Sequence, residues 1–179
     1  MMYTYWKWDK AISKEYCELI VKNADWAQKK SARIHFDNSI EDESIRKTKI
    51  VWEHNLSVVG CIADRYIRAA NVAAGWNYDL EKNLNKIQIG EYDSGGFYDW
   101  HSDGPIIHEM PRKLSFSLLL SDPKDFEGGV FELKNIKEPL IMEQGSVIVF
   151  ISSYPHRVTP VTSGSRYSAV AWMHGPNFK

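Results

Sequence analysis

The sequence predicts a mainly β fold: N-terminal helices packed against a double-sheet jelly roll. Three observations carry this reading. Apolar residues recur at helical spacing only in the stretch before Gly75. From Lys86 onward the pattern changes to short β-like runs separated by Gly, Pro, Asp and Ser. Those runs are evenly spaced with turn signals between them, as in a sandwich or barrel.

The elements follow in order. Ser13 is a plausible N-cap, with Glu15 in the first turn. Tyr16, Leu19, Ile20 and Ala24 then form the apolar stripe of a first helix. The polar segment 29–49 reads as loop or irregular strand, ending in the β-like Lys49-Ile50-Val51-Trp52. A second helix carries the stripe Leu56, Val59, Ala63, Tyr66, Ile67 and Ala70, and Gly75 is placed to end it. The β-like runs are 86–92, 96–101, 113–120, 130–133, 146–151, 156–161 and 166–172. Gly128-Gly129 and Gln144-Gly145 mark turns into strands. No repeat or linker divides the chain. One domain over 1–179 is expected, with 1–82 as a helical support region and 83–179 as the β core.

Composition excludes several function classes. A formal net charge of −1 gives no electrostatic case for a nucleic-acid or anionic-membrane binder. The apolar runs are too short to span a bilayer. Residues 1–9 lack the basic-then-apolar pattern of a signal peptide. Cys17 and Cys61 both fall in helical stretches and read as buried free thiols. An intracellular, cytoplasmic, soluble protein is the expectation. Seven Trp suit a large core or a groove with stacking walls.

The chemistry gathers in the second half. His101-Ser102-Asp103 closes an extended run, and side chains at i and i+2 of a strand point the same way. Two histidines and one carboxylate are the ligand set that holds non-haem Fe(II) with open positions. His156 supplies the second imidazole from a distant strand, as a sandwich allows. The turn-rich Thr162-Ser163-Gly164-Ser165 follows, so 156–161 and 166–172 read as an antiparallel hairpin. Arg166, Ser168, Val170 and Trp172 share one face of the returning strand. A guanidinium on that face suits a carboxylate-bearing cosubstrate.

These residues, with the run 156–161 and Gly164-Ser165-Arg166, resemble the 2-oxoglutarate- and Fe(II)-dependent dioxygenases. The likeness is to the prolyl-4-hydroxylase-like branch, including the PKHD-type hydroxylases, and covers about Lys86 to His174. It implies a double-stranded β-helix core over 83–179. It implies iron on His101, Asp103 and His156, with Arg166 holding the distal carboxylate of 2-oxoglutarate. It implies cosubstrate contacts from Tyr92, Ser168 and Trp172. The implied reaction consumes O2, releases succinate and CO2, and hydroxylates an unactivated C–H bond, with ascorbate a candidate reductant. A prolyl residue of a protein or peptide is the first substrate expected, and a free amino acid or small metabolite the alternative.

Three departures separate this chain from known groups. Collagen-type prolyl hydroxylases usually carry Lys where Arg166 stands. Oxygen-sensing prolyl hydroxylases carry a Tyr near the position of Leu119. Nucleic-acid repair enzymes of this type have a second Arg six residues after the first, where this chain has Trp172. A cupin-like binding module is the non-enzymatic alternative, but a binder needs neither open metal positions nor a carboxylate clamp.

Other pairs are weaker. His35-Phe36-Asp37 repeats the spacing in polar sequence, with His54 downstream and Arg65 mid-helix, and reads as surface loop. His108 and His174 lack paired spacing. Tyr98 and Trp100 flank the metal motif and serve equally as core or substrate wall. Asp122, Asp125 and Glu127 read as a solvated loop. Substrate selectivity is expected from segments 93–96, 104–111, 122–128 and 33–49.

Overall fold

Both predicted helices form, and the β-like runs become antiparallel strands. The computed structural model describes residues 3–32, 43–104, 110–136 and 140–177. His35, Asp37 and His108 lie outside the described residues. The first half contains β1 (Tyr5–Trp8), α1 (Lys14–Asn23), β2 (Lys30–Ser31), β3 (Arg46–Lys47), β4 (Lys49–His54) and α2 (Val58–Ala73). The second contains β5 (Lys86–Tyr92), β6 (Phe97–His101), β7 (Arg112–Leu119), β8 (Phe126–Gly128) and β9 (Phe131–Leu133). It ends with β10 (Val147–Ile151), β11 (His156–Val158), β12 (Val161–Gly164) and β13 (Arg166–His174).

The strands build a seven-stranded sheet in the order β1-β10-β7-β13-β5-β4-β2. A four-stranded sheet has the order β3-β6-β11-β9, and β12 pairs with β8. The large sheet carries apolar residues on both faces. One face presents Ile87, Ile89, Phe116, Leu118, Val149, Ala169 and Met173 to Ala63, Ile67 and Ala70 of α2. The other face contributes Tyr92, Ile148 and Phe150 to a second cluster with Phe131, Leu133 and Val158. Strand β7 alternates accordingly: Leu114, Phe116 and Leu118 belong to the helix-side cluster, while Ser115 and Ser117 interrupt them.

Local chemistry sets the boundaries. The Ser13 hydroxyl accepts from the Tyr16 N–H and caps α1. Ser57 does the same for α2 through Gly60. Gly75, at φ +73°, follows the last turn of α2 in the left-handed region that favours glycine. No helix among the described residues is long and apolar enough to cross a membrane.

Several expectations need correction. The first half holds more strand than expected: β4 forms at the β-like run that begins at Lys49, but β1 was not foreseen; β1, β2 and β4 extend one sheet and β3 extends the other. Strand β1 was hidden because Tyr5-Trp6-Lys7-Trp8 is too short for alternation to show; it forms by pairing with the edge of β10. The α1 stripe is shifted in phase. Cys17, Ile20 and Ala24 are buried, whereas Tyr16 and Leu19 are about half exposed. Leu56 precedes α2 and is 75% exposed. Cys17 is a buried thiol as expected, but Cys61 is exposed, because it lies off the Val59–Ala63–Ile67 stripe.

The expected hairpin is also absent. Strand β12 pairs with β8, and β13 pairs with β5 and β7, so the chain crosses between sheets at Ser165. A turn-rich loop indicates reversal, but it does not say which partner the next strand takes. Ile67 is fully buried where α2 meets the large sheet. Ile67→Ala should destabilise the fold by about 3 kcal/mol, read as a lower urea midpoint at unchanged m-value.

Candidate metal centre and its surroundings

His101 and His156 are cross-strand partners. Strand β11 pairs antiparallel with β6 in the register His156↔His101, and a bulge follows before Val158↔Tyr98. The imidazole centroids lie 4.1 Å apart. Asp103 comes two residues after His101, and its N–H donates to the Ser152 carbonyl at 2.8 Å. That bond ties the segment after β6 to the segment after β10. One donor atom from each of His101, Asp103 and His156 lies within 4.8 Å of the others.

The hydrogen bonds prepare these donors. His101 Nδ1 is 2.7 Å from the Asp99 carbonyl, and His156 Nδ1 is 3.0 Å from the Tyr154 carbonyl. A carbonyl only accepts, so each Nδ1 carries the proton and donates it. Each Nε2 then offers its lone pair. Those atoms face the carboxylate, with His101 Nε2 3.8 Å from Asp103 Oδ1 and His156 Nε2 3.5 Å from Oδ2. Ser115 Oγ donates to Asp103 Oδ2 at 2.7 Å and contacts Ser152 Oγ at 2.9 Å.

Burial and the neighbouring His156 push the His101 pKa down to about 3, which leaves the ring unprotonated at neutral pH. Burial alone would raise Asp103, but His156, His101 and the Ser115 hydroxyl outweigh it and hold the carboxyl below its ordinary value. Two imidazoles and one carboxylate on one side of a gap fit a first-row divalent ion with bonds of roughly 2 Å. Phe150 and Phe131 pack against His156 at 4.6 and 5.8 Å. Tyr98 stacks on His101 at 3.4 Å.

The other expected residues divide into two places. Arg166 is 2% exposed, and its Nη1 donates to Ser168 Oγ at 3.0 Å. Its Cζ lies 5.4 Å from the Tyr92 ring centre, and Arg166 and Tyr92 are cross-strand partners. Burial lowers the Arg166 pKa, but a guanidinium stays charged in a protein. Among the described residues no carboxylate forms an ion pair with it. Arg166, Ser168 and Tyr92 therefore form one group. Trp172 is elsewhere. It lies six residues along the strand, about 20 Å away at roughly 3.3 Å per residue, and its ring lies 4.1 Å from Arg112 Cζ. Its cross-strand partner is Ser115, the residue that binds Asp103.

Sequence reasoning missed Ser115, Ser152, Arg46, Gln88 and Arg112. Ser115 left a signal, since a hydroxyl every second residue in apolar β7 marks an inner polar stripe. Arg46 left none, because its segment has no periodicity. His174 and His54 lie away from the metal donors: His174 Nδ1 approaches Asn85, and His54 Nδ1 accepts from the Leu56 N–H. Asp122 caps a short 3-10 turn through Lys124, and Glu127 belongs to β8.

A family model for the 2OG-Fe(II) oxygenase superfamily matches residues 87–174, the stretch that holds His101, Asp103, His156 and Arg166. That stretch belongs to the 2OG-Fe(II) oxygenase superfamily. A PKHD-type hydroxylase of Idiomarina loihiensis is 34% identical over 104 residues, covering 55% of this chain and 48% of the relative. The chain thus spans about half the length of the curated relatives it matches first. In fold it is similar to a viral collagen prolyl hydroxylase from Paramecium Bursaria Chlorella virus-1, with TM-score 0.75, 19% identity and 97% of each chain covered. A Pseudomonas putida prolyl-4-hydroxylase is similar at TM-score 0.72 and 20% identity, covering 97% of this chain and 94% of the other. As in these oxygenases, the fold is a mainly β jelly roll.

The pKa directions fix a pH dependence. His101 binds its proton more weakly folded than unfolded. Its contribution to stability is therefore whole above the ordinary value of 6.5 and is lost as pH falls toward about 3. In metal-free protein the melting temperature should fall across that window. His101→Gln, which cannot titrate, should flatten the upper part of the curve. An unchanged slope would contradict the assignment.

Proposed function

We propose that the chain is an Fe(II)- and 2-oxoglutarate-dependent dioxygenase that hydroxylates an unactivated C–H bond. His101, Asp103 and His156 would hold the iron. One observation carries the reading: two Nε2 donors and a carboxylate gather at one point, and the face of the large sheet whose Ser115 binds Asp103 also carries Arg166, a buried guanidinium with no carboxylate in an ion pair among the described residues. When bound, the iron with its keto-acid cosubstrate and O2 supplies the oxidising power, releasing succinate and CO2.

The chain's own residues supply orientation and a dry setting. Arg166 would grip the distal carboxylate of 2-oxoglutarate by charge-assisted hydrogen bonds. Ser168 already holds one edge of that guanidinium, and Tyr92 walls it. Ser115 and Ser152 would fix Asp103 so that one oxygen faces the metal. Phe131 and Phe150 exclude water from His156. Trp172 is read as part of the substrate wall, because its partner is Arg112. Residues 83–179 carry the chemistry in this proposal, and 1–82 support it. Ascorbate is the proposed reductant that keeps the iron ferrous.

The substrate reading rests on likeness. The similar proteins are named as prolyl and PKHD-type hydroxylases, which supports a prolyl residue of a peptide or protein, or a small molecule of that shape.

The test is anaerobic. Fe(II) and 2-oxoglutarate added to metal-free protein should give a visible metal-to-ligand charge-transfer band. His101→Ala should abolish it. Arg166→Ala should need roughly 30-fold more 2-oxoglutarate, the equivalent of about 2 kcal/mol of lost charge-assisted bonding. Folded, metal-loaded protein that shows no band would overturn the proposal.

A further inference from the structure

Two more guanidiniums stand beside the metal donors, and the proposed chemistry uses neither. Arg46, from β3, is 9% exposed. Its Cζ lies 4.4 Å from the centre of the Tyr98 ring, which stacks on His101. Its Nη2 donates to Gln88 Oε1 at 2.9 Å, and its buried Nε has no acceptor. Arg112, the first residue of β7, lies over Trp172, and its Nη1 is 3.4 Å from the Asp103 carbonyl. Its Nε is also buried without an acceptor.

The contacts trace an arc around one side of the centre. It runs from His101 through Tyr98, Arg46 and Gln88. Gln88 is the cross-strand partner of Trp52, whose ring lies 6.5 Å from Trp172. Arg112 then closes the arc on Asp103. Trp52 is 49% exposed, so this side opens to solvent. Arg166, Ser168 and Tyr92 lie off the arc and remain free for the cosubstrate.

Charge balance gives the arc its meaning. The ferrous ion brings two positive charges, Asp103 one negative, 2-oxoglutarate two negative and Arg166 one positive. These cancel. Arg46 and Arg112 are left with no carboxylate in an ion pair among the described residues, and Asp103, whose charge bears on Arg112, is already counted against the iron. A buried guanidinium without a counter-ion is costly, and such a cost is typical of a site that awaits one.

Building on the dioxygenase reading, we infer that the substrate presents a carboxylate to Arg46 and Arg112. It is a free amino acid or the carboxyl-terminal residue of a peptide, and its reacting carbon lies toward His101 and Asp103. The stacked rings hold each guanidinium flat and leave its edge for a bidentate contact.

The test uses the protein loaded with Fe(II) and 2-oxoglutarate without oxygen. The charge-transfer band is checked first in wild type, Arg46→Met and Arg112→Met. Calorimetric titrations then use free L-amino acids and their N-acetyl derivatives, each beside its primary amide. Dipeptides with free or amidated C-termini form the peptide arm and separate the two sources. At least one acid should bind at least about tenfold more tightly than its amide. That preference should vanish in either variant.

Amides binding as well as acids, a preference that survives both substitutions, or no acid binding while the band is present would each overturn the inference. Loss of the band in the variants alone would place these arginines in the cosubstrate grip and overturn it too. A missing band in wild type would instead be a failure of the dioxygenase reading.

Discussion

Slipping β11 by one residue against β6 would turn His156 to the opposite face of the sheet, because side chains alternate along a strand. The register His156↔His101 is therefore the constraint on which the centre depends. Several contacts hold it. Strand β9 pairs with β11 on its other side, matching His156 with Leu133 and Val158 with Phe131. Just beyond, the Thr159 N–H donates to the Val130 carbonyl, and the Val130 N–H donates to the Thr159 hydroxyl. The bulge between His156 and Val158 absorbs one residue without moving the paired histidines.

The large sheet gives that register a stable background. Its helix-side face is mostly apolar and packs with α1 and α2. Its inner face mixes Phe150 and Ile148 with Ser115, Ser168, Gln88 and Arg166. The division reflects what each face buries. The helix side buries few polar groups, while the inner side tolerates them because they bind one another or face an ionic ligand set. Strand β13 lies between β5 and β7 in this sheet, so it carries Arg166 at one end and Trp172 near the other on a single rigid element.

Much of this was legible in the sequence. The spacing of His101 and Asp103 and the distant His156 pointed to the three side chains whose donor atoms come within 4.8 Å of one another, because two-residue periodicity and ligand chemistry are local properties. Helix α2 was legible from its stripe, and the inner-face phase of Arg166 and Ser168 from alternation. Sheet partnership was not. Nothing in 156–172 says that β12 turns to β8 while β13 joins β5 and β7, since both outcomes satisfy the same turn chemistry. Arg46 was invisible for a similar reason. A two-residue strand has no period, and its place beside Tyr98 arises only when β3 pairs with β6.

Strands β1, β2, β3 and β4 all precede the segment shared with the superfamily, yet they finish both sheets. Strand β1 covers β10, β4 covers β5, and β3 covers β6. A fragment limited to 87–174 would keep the metal donors but expose three rows of unpaired N–H and C=O groups, each a template for pairing with another chain. The N-terminal segment thus guards against edge-to-edge association. It also contributes Arg46, so changes that keep its edge pairing can alter that side chain without disturbing the registers that assemble the metal donors.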